Sequence, residues 1–292
     1  TFFGSNAAGA KRLLVNEYRQ HTGSFRARGA GTLARAHRAA ASMPAAGVVI
    51  ASGGNAGLAC AWAARASGTK ATVFLPVTAP AVKLARLRGY GADVRLHGVE
   101  YAEALEASRE HAERTGALLS HAYDNPLIAA GAGTCAAQVL ADLDRRPDTV
   151  LVAVGGGGLL AGTVAATAEA GTRVVAVEPA NCRALNAALR AGGPVDVAPD
   201  SVAADSLGAR RVSELAFRLA DQPRVRSVLV SDEAIISARR MLWDRWRIVV
   251  EHGGATALAA LCSGTYRPAE NERVAIVLCG ANTDPADLLD RD

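Results

Sequence analysis

The sequence predicts an α/β fold made of two open, twisted and mostly parallel sheets that are flanked by helices. Short runs of β-branched residues alternate with segments rich in alanine and leucine, and this alternation favours strands separated by helices. The predicted strands are continuously apolar, as parallel strands covered on both faces are. About eight such strands exceed one compact nucleotide-binding unit, so two sheets are expected.

Each predicted strand is followed by a turn and a helix, in the order that a parallel sheet requires. Strands are predicted at 13–15, 48–51, 71–75, 93–96, 117–120, 150–154, 173–178, 225–230 and 273–278. Helices are predicted at 56–67, 79–89 and 101–115, with further helices between the later strands. Functional sites in such sheets lie at the carboxyl ends of the strands, so the loops that follow them are the candidates.

The composition indicates a globular protein and argues against nucleic acid as a partner. Half of the 292 residues are hydrophobic, the net charge is only +4, and no arginine-rich tract interleaved with aromatic residues occurs. The five cysteines are scattered, odd in number and without a C-x-x-C pair. This pattern is typical of reduced, buried thiols in a cytoplasmic protein.

One segment, 150–168, is uncharged and long enough to cross a membrane. Its five glycines argue against one continuous helix. A buried strand, a turn and an inward-facing helix explain the segment better, so no membrane association is expected.

Four consecutive glycines, Gly155, Gly156, Gly157 and Gly158, follow one predicted strand and open a helix. Backbone amides in such a loop approach an anion closely, and the helix N-terminus adds partial positive charge. The sequence therefore predicts a phosphate cradle, with a tight turn that binds nothing as the alternative. The same loop also fits G-x-G-x-x-A, and Glu178 follows about 20 residues later, so an NAD site is a minor alternative.

A second glycine-rich loop follows the predicted strand 48–51 and reads Ser52, Gly53, Gly54, Asn55, Ala56. Its amides suit a carboxylate, and its serine and asparagine side chains can donate hydrogen bonds. A helix cap without a ligand is the alternative. Cys279 follows the predicted strand 273–278, where a buried structural cysteine would also be ordinary.

Residues 22–30 read Thr-Gly-Ser-Phe-Arg-Ala-Arg-Gly-Ala and resemble the T-G-S-F-K-x-R-G-A motif of fold-type-II pyridoxal-phosphate (PLP) enzymes. Together with the loops at 52–56, 155–158 and 279–282, this resemblance points to the serine/threonine dehydratases, alongside serine racemase, and it covers nearly the whole chain. It implies a tryptophan-synthase-β-like fold, PLP as cofactor, a small amino acid as substrate and a homodimer. The implied small substrate-loop domain is 48–125, inserted into a large cofactor domain formed by 1–47 and 126–292.

The resemblance also implies a role for each candidate residue. Gly155–Gly158 would bind the cofactor phosphate, and Asn55 would lie beside the ring oxygen. Cys279 would face the pyridine nitrogen and Phe25 would pack on a face of the ring, although a core phenylalanine is the alternative. The loop of Ser52, Gly53, Gly54 and Ala56 would bind the substrate carboxylate, and no metal ligands are predicted. Racemases of this group have a second serine where this chain has Gly53, so racemisation is disfavoured.

Arg26 occupies the position of the family's essential lysine. A lysine amine can lose its proton and form an imine, whereas a guanidinium stays protonated. We therefore expect ordinary dehydratase turnover, the elimination of a β-hydroxyl to give a 2-oxo acid and ammonia, to be abolished or altered. PLP would then be bound noncovalently or as a preformed adduct with an amino acid. The alternative is a repurposed pocket without PLP, enzymatic or not, in which Arg26 binds an anionic group.

Overall fold

A computed structural model describes residues 2–5, 11–143 and 145–289 of the chain. The strands, in chain order, are β1 (Phe2–Ser5), β2 (Lys11–Val15), β3 (Val48–Ala51), β4 (Ala71–Leu75), β5 (Asp93–Leu96), β6 (Leu118–Leu119), β7 (Thr149–Ala153), β8 (Arg173–Pro179), β9 (Val225–Val230) and β10 (Arg273–Val277). The helices are α1 (Arg26–Ala39), α2 (Asn55–Ala66), α3 (Ala81–Gly89), α4 (Tyr101–Thr115), α5 (Pro126–Asp142), α6 (Gly158–Ala166), α7 (Ala184–Ala191), α8 (Ala204–Leu207), α9 (Glu214–Ala220), α10 (Asp232–Trp246) and α11 (His252–Cys262).

The chain divides into two compact units. The larger unit comprises the described parts of Thr1–Phe25 and Ala132–Asp292, and the smaller unit comprises Arg26–Gly131. The larger unit is therefore assembled from both ends of the chain, with the smaller one formed by the segment between them.

The larger unit contains a sheet in the order β1-β2-β10-β7-β8-β9. All neighbouring strands in it are parallel except the antiparallel pair β1–β2. Strands β7 and β8 are almost wholly buried, as their unbroken runs of valine and alanine predict, and α6 and α11 pack against them. Because the strands are parallel, the loops after β7 and β10 leave the sheet at the same edge.

The smaller unit contains a fully parallel sheet in the order β5-β4-β3-β6. Side chains alternate between its two faces, and both faces are covered. Val48, Ile50, Val73 and Leu75 pack with residues of α2 and α3 on one face. Residues of the opposite face, such as Val49, Ala51 and Phe74, pack against α4. The fold class predicted from the sequence, two mostly parallel sheets flanked by helices, is confirmed.

The segment 150–168 is not one continuous helix. It consists of the end of β7, the glycine loop and α6, which itself begins at Gly158 and ends at Ala166. In the part of the chain that the structure describes, no helix is long and apolar enough to cross a membrane.

The smaller unit begins earlier than the inserted domain that the sequence predicts, 48–125. Its additional N-terminal part is α1, because Ala30 and Ala34 of this helix pack against Ala59 and Ala63 of α2 in a separate apolar cluster. Four alanines at a helical spacing of four allow the two helices to approach closely. The boundary at 48 is what the family resemblance implies, and it assigns α1 to the other domain.

Candidate functional site

The four-glycine loop lies between β7 and α6 in the larger unit, at the carboxyl edge of the sheet. Gly157 is the N-cap of α6 and has a φ of +92°, a left-handed conformation that other residues rarely adopt. A β-carbon at Gly157 would also lie only 2.3 Å from the β-carbon of Ala216 on α9. Both the backbone conformation and the packing therefore require glycine at this position.

The glycine loop is held by its neighbours and leaves helix amides without intrahelical partners. The Ser213 amide donates a 3.1 Å hydrogen bond to the Gly156 carbonyl, and Ser213 in turn caps α9 through a 3.2 Å bond from the Ala216 amide. The first intrahelical bond of α6 runs from the Ala161 amide to the Gly157 carbonyl. The amides of α6 before Ala161 have no carbonyl of an earlier turn to bind, which is the arrangement of an anion site.

Two motifs that are more than 250 residues apart in sequence are joined in the larger unit. Ser24 forms an antiparallel bridge with Gly280. The Ala281 amide donates to the Gly23 carbonyl at 2.9 Å, and the Asn282 side chain donates to the Thr22 carbonyl at 2.7 Å. We call this arrangement of residues 22–25 and 279–282 the motif clasp. Thr22 has a φ of +66°, a strained conformation that the clasp helps to maintain.

Phe25 and Cys279 belong to the motif clasp and are adjacent through their backbones. The Phe25 amide donates a 3.0 Å hydrogen bond to the Cys279 carbonyl. Both side chains are buried, and the Cys279 thiol donates to the Gly253 carbonyl at 3.5 Å. The structure thus brings these two predicted cofactor-binding residues together, while the predicted role of each toward a ring stays a prediction.

The second glycine-rich loop lies between β3 and α2, at the carboxyl edge of the smaller sheet. Gly54 is the N-cap of α2, and no side chain caps this helix. The Ser52 hydroxyl accepts a 3.3 Å hydrogen bond from the Gly54 amide. A β-carbon at Gly54 would meet no atom within 4 Å, so the loop borders open space at that point. Asn55 and Ala56 form the first turn of the helix, and both are half-buried.

Arg26 is the first residue of α1 and lies in the smaller unit. Its guanidinium Nη1 donates to the backbone carbonyl of Ala122, in the loop between β6 and α5. The side chain is half-buried.

The charge of Arg26 acts on two aromatic side chains of the same loop. The rings of His121 and Tyr123 meet edge to face with centroids 4.8 Å apart. Burial lowers the pKa of His121, and the positive charge of Arg26 lowers it further, against the carboxylate of Asp124. Burial raises the pKa of Tyr123, and Arg26 opposes that rise. His121 is therefore held neutral beside the arginine, and its Nδ1 accepts hydrogen bonds from the Tyr123 and Asp124 amides.

Sequence reasoning missed three residues that lie next to the candidate positions. Tyr123 is the neighbour of Arg26, and Leu75 and Lys83 both approach Gly53. The sequence shows a tyrosine two residues after His121. It does not show that this tyrosine lies near Arg26, because that depends on the path of the loop. The contacts at Gly53 depend on the packing of β4 and α3, which no local pattern encodes.

Glu178 is the acidic residue of the possible dinucleotide fingerprint, and its carboxylate hydrogen-bonds to the protein backbone. It is fully buried at the end of β8, and its two carboxylate oxygens accept hydrogen bonds from the Leu185 and Asn186 amides at 2.7 and 2.8 Å. Its role is to cap the N-terminus of α7, which leaves no carboxylate oxygen directed to solvent.

The residues present fit the predicted cofactor in one respect and not in another. The glycine loop before α6 carries no side chain, has a helix N-terminus behind it and suits a phosphate. Position 26 does not suit covalent attachment, because a guanidinium does not form an imine. Lys11 lies in β2 and Lys70 just before β4, both exposed and both at the amino ends of their strands. Among the described residues, no cluster of three or more potential metal ligands is found.

Comparison with known proteins gives one family. The family described as "Pyridoxal-phosphate dependent enzyme" matches residues 3–280. The protein "Serine dehydratase-like" of Homo sapiens is 36% identical over 289 residues, which cover 95% of this chain and 87% of that protein.

Solved structures resemble the chain over almost its full length. The processed form of threonine deaminase isoform 2 from Solanum lycopersicum is 27% identical, with a TM-score of 0.87 and coverage of 97% of this chain and 78% of that one. Maize serine racemase is 28% identical, with a TM-score of 0.90 and coverage of 99% and 90%. The likeness therefore includes both units and the connections between their strands.

Proposed function

Because the chain belongs to the family of pyridoxal-phosphate-dependent enzymes, we propose that it is a serine/threonine dehydratase-type protein that holds its cofactor without a covalent lysine bond. The observation that carries the proposal is the coexistence of intact anion-binding loops with Arg26 at the start of α1. The reaction of this type is the elimination of a β-hydroxyl from an amino acid, giving a 2-oxo acid and ammonia. Arg26 reduces or abolishes ordinary turnover of that reaction.

The family resemblance gives each candidate residue a role in this proposal. The amides of Gly155–Gly158 bind the phosphate, and the Ser52–Asn55 loop binds the carboxylate of the amino acid. Asn55 would bind at the ring oxygen, Phe25 would pack on the ring and Cys279 would face the ring nitrogen. When bound, PLP supplies an aldehyde that reacts with amines and a ring that withdraws electrons from the α-carbon. The Cys279 thiol donates to the Gly253 carbonyl, and as a weak partner it would leave the ring nitrogen unprotonated.

Arg26 cannot take over the lysine's role as the base that accepts the α-proton. In the resembled enzymes a neutral lysine amine takes the α-proton, and a guanidinium with a pKa above ~12 cannot accept one. Arg26 is also directed to the Ala122 carbonyl, which stabilises it as a fixed cation. The chain therefore retains the groups that bind and orient an amino acid while lacking the family's base at this position.

A second candidate function is a repurposed pocket without PLP. The observation that favours it is the Arg26 guanidinium itself, a fixed cation whose Nη1 donates to the Ala122 carbonyl and whose charge lowers the pKa of His121. An anionic group, a carboxylate or a phosphate, would be its ligand. An NAD site is disfavoured, because both carboxylate oxygens of Glu178 accept hydrogen bonds from amides of α7 and are not available to a ribose hydroxyl.

A symmetric homodimer is part of the proposal, since this is the commonest assembly of soluble oligomers and is expected for the family. Sedimentation equilibrium of the purified protein, with and without PLP, tests it. A single species at the monomer mass over the working concentration range would contradict it.

The first experiment is the visible spectrum of the purified protein mixed with PLP, with and without serine or threonine, before and after borohydride. The proposal expects absorbance of the unattached aldehyde, a shift only when the amino acid is added, and no label fixed on the protein by borohydride. A borohydride-fixed label without amino acid would show that Lys11, Lys70 or Lys83 has replaced the missing lysine. No binding of PLP would favour the repurposed pocket.

A further inference from the structure

The Lys83 side chain lies over the glycine-rich loop that follows β3. A β-carbon at Gly53 would be 3.6 Å from Cδ of Lys83. Because two bonds separate Cδ from the ammonium nitrogen, Nζ lies within about 6 Å of that point. Lys83 is half-buried, which shows that its aliphatic stem is packed rather than extended into solvent.

The position of Lys83 is fixed by its own backbone. It is the third residue of α3, and its amide donates a 2.9 Å hydrogen bond to the Pro80 carbonyl. Pro80 is the N-cap of that helix and restrains the chain as it enters the first turn. The start of α3 follows the loop after β4, so it belongs to the same carboxyl edge of the sheet as the loop at Gly53.

Leu75, and not Lys83, is the side chain that requires glycine at position 53. A β-carbon there would lie 2.4 Å from Cδ2 of Leu75, whereas its 3.6 Å distance from Cδ of Lys83 is an ordinary contact. Leu75 and the Lys83 stem therefore both lie against the loop at Gly53. Of these two side chains, one is a hydrocarbon and one is cationic.

We propose that Lys83 is a substrate-binding residue that supplies the positive charge for the amino-acid carboxylate at the Ser52–Asn55 loop. The inference rests on the proposed function, which places that carboxylate on the loop, and it adds the residue that neutralises its charge. A positive charge beside the loop favours a bound carboxylate, and the Lys83 ammonium nitrogen lies within about 6 Å of the β-carbon position of Gly53. The substrate class that follows is an amino acid with a free α-carboxylate, not its amide or ester.

Lys70 provides a matched control. It is the other lysine of the smaller unit, and it directly precedes β4, so it lies at the opposite, amino edge of the same parallel sheet. Replacement of either lysine by methionine removes one charge and keeps the length of the side chain. Only the replacement at Lys83 removes a charge next to the loop.

The test measures the dissociation constants of L-serine and L-serinamide with the PLP-loaded protein, by the shift of the visible spectrum. The proteins are the wild type, Lys83→Met, Lys83→Arg and Lys70→Met, each with its unfolding midpoint and its affinity for PLP. We expect L-serine to bind roughly fivefold more weakly to Lys83→Met, with little change for Lys83→Arg and Lys70→Met. L-serinamide, which lacks the carboxylate, should bind equally to all four.

Three outcomes would overturn the inference. Equal binding of L-serine to the wild type and Lys83→Met would show that the charge is not used. Equal weakening for L-serine and L-serinamide, or a fall in PLP affinity, would show that Lys83 only shapes the loop or acts on the cofactor. Failure of the wild type itself to bind PLP or serine would remove the proposed function, and with it this inference.

Discussion

Arg26 determines whether the remaining site can turn over, and its replacement by lysine is the direct test. In Arg26→Lys the neutral amine fraction can attach PLP and accept a proton, which the guanidinium cannot do. We expect borohydride to fix PLP on the variant and serine or threonine to release 2-oxo acid and ammonia. The rate should exceed that of the wild type by roughly 100-fold to 10,000-fold, the usual contribution of a positioned base.

The control for that experiment is Arg26→Gln, which removes the guanidinium charge without supplying an amine. It should remain as inactive as the wild type and fix no PLP. If Arg26→Lys binds PLP but gains no activity, other residues of the pocket have also changed. The repurposed pocket would then be the better proposal.

Gly53 is constrained by packing, and this limits what a single substitution can do. A serine there, as racemases have, would have a β-carbon 2.4 Å from Cδ2 of the buried Leu75. We expect Gly53→Ser to lower the free energy of unfolding by about 1–3 kcal/mol, the usual cost of overpacking. Denaturant titration of Gly53→Ser, Leu75→Ala and the double variant measures it.

The double variant should be more stable than the sum of the two single losses predicts, because the shortened side chain at 75 makes room for the serine. Additive losses would mean that the serine is accommodated elsewhere, without Leu75. Spectral binding of serine to each variant separates a loss of stability from a loss of substrate affinity.

At the residue scale, the sequence was sufficient for positions that belong to a contiguous motif. The glycines at 155–158, the loop at 52–56 and Arg26 are predicted from motifs of a few residues, and their roles stay predictions. Lys83 and Tyr123 could not be predicted in this way, since their neighbours are set by the packing of α3 and by the path of the loop before α5. Glu178 was assigned to a possible ribose contact, and only the structure shows that it caps α7.

At the scale of elements, strands were predicted well where they are buried on both faces. The predictions 48–51 and 71–75 match the observed β3 (Val48–Ala51) and β4 (Ala71–Leu75), in which every residue is buried. The predicted strand 117–120 is shorter in the structure, where β6 covers only Leu118–Leu119. This strand lies at an edge of the smaller sheet and pairs only with β3, through Leu118 and Leu119.

The motif clasp joins elements from the two ends of the chain, and Asn282 is its side-chain contribution. Its amide donates a 2.7 Å hydrogen bond to the Thr22 carbonyl, at a residue whose φ is +66°. We expect Asn282→Ala to lower the free energy of unfolding by about 1–2 kcal/mol, since a part-buried carbonyl loses its donor. Hydrogen exchange of the Phe25 amide, which donates within the clasp, should become faster.

Thr283→Ala is the matched control, because its hydroxyl makes only an exposed 3.3 Å contact with the Asp284 carbonyl. Its stability should stay within about 0.5 kcal/mol of the wild type. If Asn282→Ala is equally neutral and leaves Phe25 exchange unchanged, the backbone hydrogen bonds between residues 23–25 and 279–281 hold the clasp without the Asn282 side chain.

At the scale of the whole molecule, the response of stability to pH depends on groups with opposite shifts. Hydrogen bonds and positive charges near Asp287 and Glu272 lower the pKa values of these carboxyls. They therefore stabilise the folded state above the ordinary carboxyl range and lose this contribution in acid. Glu178 differs, because burial raises its pKa from 4.5 to about 7, against the Leu185 and Asn186 amides and the charge of Arg183.

Glu178 therefore destabilises the folded protein as the pH rises through the range from 4.5 to about 7. In that range the folded state holds a proton on Glu178 that the unfolded state has released, and so the unfolding free energy falls with increasing pH. Glu178→Gln has no such proton, while it keeps one acceptor for the amides of α7. We expect the stability of this variant, relative to the wild type, to increase by on the order of 2 kcal/mol between pH 5 and pH 8.

Denaturant titrations at both pH values measure the difference. The control is Glu103→Gln, at an exposed carboxyl whose pKa is lowered, and it should show no such increase. A relative stability of Glu178→Gln that is constant or falls over this range would mean that the two amide hydrogen bonds outweigh burial and keep Glu178 ionised.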